Sequence, residues 1–158
     1  MDMKQKIPVF VFVLIFYAAG NVFAADIASL DKVSIFMPKS KVLSILGASQ
    51  ETLVLAEDLK VEVYPVESVP PLVHAGCIYD KNGILMGQSF VFHGHTAHGI
   101  ADRLKKHGFT PLPQKDGSLR LAGVDDDTGR PLVAVIAEND HLTTLTTFEK
   151  AFYEGHVQ

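Results

Sequence analysis

The stretch His74-Ala75-Gly76-Cys77-Ile78-Tyr79-Asp80-Lys81-Asn82-Gly83-Ile84-Leu85-Met86-Gly87-Gln88-Ser89-Phe90-Val91-Phe92 decides the fold. Two apolar runs flank Asp80-Lys81-Asn82-Gly83, and an Asn-Gly pair in that setting favours a tight type I′ hairpin turn. Val73, Ala75, Cys77 and Tyr79 alternate onto one strand face, which predicts that the single cysteine is buried and structural.

Working towards the N-terminus, Lys60 to Tyr64 reads as a strand with Val61 and Val63 on one face and Lys60 and Glu62 on the other. Leu53 to Ala56 reads as another, and Pro65, Pro70 and Pro71 mark a connection. A helix is expected from Pro38 to Leu46, stopped by Gly47, after a weakly helical stretch from Ala25 to Val33. Working towards the C-terminus, a helix should start at Thr96, a good cap, and stop at Gly108. Leu119 to Val124 is then a strand and Asp125 to Gly129 a polar turn. Pro131 to Ala137 and Leu142 to Tyr153 form a second hairpin, in which Thr143 to Thr147 suit a strand with one wet face.

The resulting expectation is an α+β fold: small antiparallel sheets with helices packed on one face. Gly47 and Gly108, and likewise Pro70 and Pro131, stand at the same separation, while the two hairpin turns correspond less well. That pattern fits either chance or an internal duplication into two tandem helix-plus-antiparallel-sheet units, 25–93 and 94–158.

Residues 1–24 are expected to be a signal peptide. Lys4 and Lys6 precede an apolar run from Ile7 to Ala19, and Asn21-Val22-Phe23-Ala24 supplies small residues for cleavage after Ala24 or Ala25. The run is about thirteen residues, short of the roughly 20 that span a bilayer. No cysteine near the cut offers a lipid attachment point, so a soluble exported product with no stable membrane anchor is expected, periplasmic in a Gram-negative bacterium. With a net charge of -4 and Lys105-Lys106 as the densest basic pair, nothing in the charge seeks nucleic acid or anionic lipid. One cysteine allows no internal disulfide, so the core must hold the fold.

Met37-Pro38-Lys39-Ser40-Lys41-Val42-Leu43-Ser44-Ile45-Leu46-Gly47 resembles the first helix of the SmpA/OmlA (BamE-like) envelope proteins. Their pattern is a Gly-Met-Thr start, a valine five residues after the methionine, then Leu-Gly and a proline two residues on. Met37, Val42, Leu46 and Gly47 match that spacing, whereas Phe36, Pro38 and Ser49 replace the glycine, threonine and proline. The family's helix and three-stranded antiparallel sheet imply the same order here, and a tandem copy resembles the β-lactamase inhibitory protein architecture. The family's lipid-anchoring cysteine is missing. The resemblance implies a non-catalytic binding module whose partner is another envelope protein, and it carries over no residue role.

The chemistry to weigh against that reading is His93-Gly94-His95-Thr96-Ala97-His98. His93, His95 and His98 would meet at a strand-to-helix junction, with His74 as a further contributor, and three converging imidazoles suit zinc or copper. The alternative function is therefore a small periplasmic metal-binding protein. No glutamate follows in the arrangement that supplies a base for metal-assisted hydrolysis. Asp125-Asp126-Asp127-Thr128-Gly129 lacks the spacing of a calcium loop. Ser89 lacks the second glycine of a nucleophile elbow, and His74 and Cys77 point to opposite strand faces. No resident cofactor and no catalytic residue is expected. Tyr64, Phe90, Phe148 and Tyr153 are aromatics open to either core or partner.

Overall fold

The computed structural model describes residues 25–56, 59–69 and 71–158, so the expected signal peptide and its cleavage point lie outside the described residues. In chain order the elements are α1 (Ile27–Leu30), α2 (Lys39–Leu46), β1 (Glu51–Ala56), β2 (Leu59–Val69), β3 (Leu72–Tyr79) and β4 (Leu85–His93). They continue as α3 (Ala97–Lys106), β5 (Thr110–Lys115), β6 (Ser118–Val124), β7 (Pro131–Glu138), β8 (Leu142–Glu149) and α4 (Lys150–His156).

The strands form one eight-stranded sheet in the order β1-β2-β3-β4-β8-β7-β6-β5, antiparallel at every pairing. This corrects the α+β expectation of small sheets covered by helices on one face. The meanders β1 to β4 and β5 to β8 do not end as separate sheets, because β4 pairs with β8 from Gly87↔Phe148 to His93↔Leu142. Pairing there satisfies two rows of backbone groups that would otherwise be open edges. Helices also lie on both faces. Alternate residues of β7 divide them: Ala134 and Ile136 pack with Ala97 and Ala101 of α3, and Val133 and Val135 share a cluster with Phe152 and Tyr153 of α4.

Local chemistry explains where strand bounds and turns depart from expectation. At Asp80 to Gly83 only Gly83 has positive φ, and Asp80 Oδ1 accepts hydrogen bonds from Asn82 N and Ile84 N. The aspartate side chain organises that turn, so it is not a type I′ turn. Both positive-φ residues of such a turn occur instead at Asp116 and Gly117, between β5 and β6. β5 itself escapes the sequence pattern because Pro111 and Pro113 break it; as an edge strand it tolerates them. β2 runs through Pro65 to Val69 with Pro65 opposite His74. Leu142 to Tyr153 is not one strand: the Glu149 carboxylate accepts a hydrogen bond from Phe152 N at 2.7 Å and starts α4.

The core follows from the strand order. Since β8 lies between β4 and β7, Thr143, Thr144 and Thr146 are buried rather than wet, and Ser89 and Thr146 hydroxyls meet at 3.0 Å inside the sheet. Val61, Val63, Ile78, Val91, Val133, Val135 and Phe148 belong to one apolar cluster that crosses both meanders. Gly87 is required in it, because a Cβ there would lie 2.9 Å from the Phe148 ring. Tyr64, Ala75, Cys77, Tyr79 and Leu85 join Val42 of α2 in a second cluster.

Candidate functional site

The chain from His93 to Ala97 leaves the sheet at the end of β4 and turns into α3. Gly94 has φ +85°, a conformation an L side chain rarely adopts, and its N–H donates to His141 O at 2.8 Å. The turn is held by β7 and β8. Thr143 Oγ1 donates to Gly94 O at 2.6 Å and accepts from Thr96 N at 3.0 Å. Glu138 Oε1 accepts from Ala97 N at 2.8 Å and lies 3.2 Å from Thr143 Oγ1. Thr96 makes no side-chain cap bond of its own. The cap expected from Thr96 is supplied by Glu138 and Thr143 from another hairpin.

Glu138 sits at the helix start, and the Ala97 N–H is the main cause of a carboxyl pKa held below its ordinary value. Thr143 and His95 add to that effect. His95 Nδ1 stands 3.6 Å from Glu138 Oε2, with the imidazole well exposed.

The histidines singled out by the sequence therefore separate. His93 is exposed at the end of β4 opposite Leu142, His95 turns to Glu138, and His98 lines a groove on the β5 side of α3. His74 is half-buried; burial, then the nearby His93, holds its pKa below the ordinary value. Among the described residues no three His, Cys, Asp or Glu side chains are placed to hold a metal ion. Asp125 Oδ2 serves its own turn, accepting from Thr128 N at 3.0 Å and Thr128 Oγ1 at 2.6 Å.

A second polar cluster lies between α2 and the sheet. The Glu62 carboxylate is buried, paired with Lys39 Nζ and accepting from Ser49 Oγ at 2.5 Å. Lys39 Nζ also stands 5.5 Å from the centroid of the Tyr79 ring. Burial is the main cause of raised Tyr64 and Tyr79 pKa values, and it pushes the Cys77 thiol up to about 12. Cys77 is thus a packed, protonated thiol at neutral pH. Sequence reading missed Glu62, Lys39, Glu138 and Thr143 as interacting groups. Their contacts span 23 and 41 residues, and no local pattern encodes them.

The groove beside α3 has a volume of about 220 Å³ and is lined by Ala101, Lys105, Pro111, Leu119 and Leu121 together with His98. His98, Lys105 and Pro111 are exposed, Leu119 is half-buried, and Ala101 and Leu121 are buried. Of the candidate contact aromatics, Tyr64, Phe148 and Tyr153 are core, and Phe90 is half-buried. Among the described residues no helix is long and apolar enough to cross a membrane. Comparison with family models, curated proteins and solved structures finds no significant match for this chain.

Proposed function

We propose that this chain is an exported, non-catalytic binding protein of the bacterial cell envelope, and that it holds another envelope protein. The observation that carries this reading is the engagement of its chemically capable side chains in holding the fold. Glu138 and Thr143 close α3, Glu62 is held by Lys39 and Ser49, and the Ser89 hydroxyl meets Thr146 in the core. The Cys77 thiol is buried and protonated. The order of charged, apolar and small residues in 1–24 supports export. The resemblance of Met37 to Gly47 to the BamE-like helix supports an envelope binding role.

The test is chemical cross-linking of the chain, expressed with its own leader, in an intact envelope, followed by mass spectrometry of the adducts. The expected result is a mature chain beginning at Ala25 or Asp26 in the periplasmic fraction and a discrete adduct with one envelope protein. Recovery of uncross-linked chain alone would remove the reading. Stoichiometric zinc or copper that disappears when His93, His95 and His98 are replaced would redirect it to metal binding.

A further inference from the structure

We propose that the groove between α3 and the β5–β6 hairpin docks an extended, acidic polypeptide segment that inserts one bulky apolar side chain. The proposal rests on the reading of the chain as a binding protein and names the surface and the chemistry of what it holds. The floor is apolar, with Leu121 and Ala101 buried and Leu119 half-buried. At about 220 Å³ it is smaller than the roughly 300 Å³ at which pockets for drug-sized ligands begin. It suits a single large side chain, the anchor geometry that dominates protein interfaces.

Charge selects the partner. Residues 97–120 contain five Lys or Arg and two Asp, within a chain of net charge -4. An acidic segment is drawn to this region and repelled by the rest of the surface. Lys105 lines the groove, and its pair with Asp102 at 3.1 Å is solvent-exposed, so exchanging that partner costs little. Lys106 and Lys115 are exposed but are not among the lining side chains, a spread that matches several carboxylates along a chain better than one small anion.

The hairpin also determines how the segment docks. Pro111 and Pro113 lack N–H groups on the outer edge of the sheet, which disfavours addition of a partner strand there. Arg120 braces that edge from the side of the sheet that carries α4, its Nε and Nη2 donating to Pro113 O at 2.9 and 2.7 Å and its Nη1 standing 3.4 Å from Tyr153 Oη. Recognition therefore falls to the side-chain anchor on the apolar floor and to Lys105 beside it.

The probes are a capped peptide with one phenylalanine between glutamates, its lysine counterpart, its alanine-for-phenylalanine counterpart, and benzoate. Binding to the mature chain is read by fluorescence anisotropy for the peptides and by NMR shifts for all four. The glutamate–phenylalanine peptide should bind saturably and weaken as salt rises. Lys105→Glu should weaken it about tenfold, and Leu119→Phe, which fills the groove, should abolish it. Gln114→Trp at the rim serves if Leu119→Phe does not fold. Equal binding of the lysine peptide, binding by benzoate as tight as the peptide's, or indifference to these variants would overturn the proposal.

A photo-cross-linking residue at Gln114 or at Val54, which is exposed on the opposite edge strand, separates the two readings in the envelope. An adduct from Gln114 to an acidic segment, lost with Lys105→Glu, supports the groove. An adduct from Val54 alone, or whole-chain cross-linking to an envelope protein with no adduct from Gln114, keeps the binding function and rejects the groove, whereas no adduct by either method rejects both.

Discussion

The Glu138 carboxylate accepts a hydrogen bond from Ala97 N at 2.8 Å across 41 residues of sequence. A hairpin in the middle of the sheet thereby caps a helix that belongs to the preceding connection. Replacing Glu138 with Ala should destabilise the protein by about 1 kcal/mol, the usual cost of losing a cap. Thr143→Val should cost more, because Thr143 is fully buried and bonds both Gly94 O and Thr96 N. Since the two side chains lie 3.2 Å apart, the double variant should cost measurably less than the two single costs together. Urea denaturation of the four proteins checks this, and strict additivity would show that the cap does not act as one unit.

Gly87→Ala should destabilise by roughly 1–3 kcal/mol through overpacking. The new Cβ would stand 2.9 Å from the Phe148 ring and 3.2 Å from Ile78 Cδ1, and both of those side chains are fully buried. Adding Phe148→Leu should recover part of the loss. Thermal unfolding of the single and double variants decides it, and an unchanged Tm for Gly87→Ala would refute the close approach of ring and backbone.

Lys39→Met should be more damaging than the joint replacement Lys39→Met with Glu62→Leu. The single change leaves the buried Glu62 carboxylate, among the described residues, with Ser49 as its side-chain partner, a loss we set at about 2 kcal/mol after discounting for the partly exposed lysine. Removing both charges also removes the desolvation cost, so the double variant should lie near the parent protein. Chemical denaturation is the measurement, and a double variant less stable than the single one would contradict the argument.

Two groups should make stability depend on pH in different windows. The His74 pKa is lowered in the fold below its ordinary 6.5, so the unfolded chain binds this proton first as pH falls. The corresponding stability is fully present above pH 6.5 and is lost as pH drops through the folded value. The Glu138 pKa is lowered from its ordinary 4.5, so its contribution is present above that value and lost in more acidic solution. Tm against pH should be flatter for His74→Gln between about pH 7 and 5, and flatter for Glu138→Gln only below about pH 5. Curves parallel to that of the parent protein in those windows would rule out both assignments.

Periodicity and punctuation made much of the local structure legible. The apolar alternation of β4 and the stop glycines Gly47 and Gly108, both at positive φ, were readable from neighbouring residues alone. So was the burial of Cys77 with Ala75 and Tyr79, whereas Val73, expected on the same face, packs against the other apolar cluster because the register of β3 shifts between Leu72 and His74. Each depends on forces acting over a few residues, which a linear chain displays directly.

Only the tertiary structure decided that β4 pairs with β8, and from that pairing come the single sheet and the burial of Thr143, Thr144 and Thr146. It likewise decided that Glu138 rather than Thr96 caps α3, and that His93, His95 and His98 part company at the junction they share in sequence. Sheet edges and helix ends are satisfied by whichever groups the fold brings within hydrogen-bond reach. That choice depends on distance in space, which the order of residues does not specify.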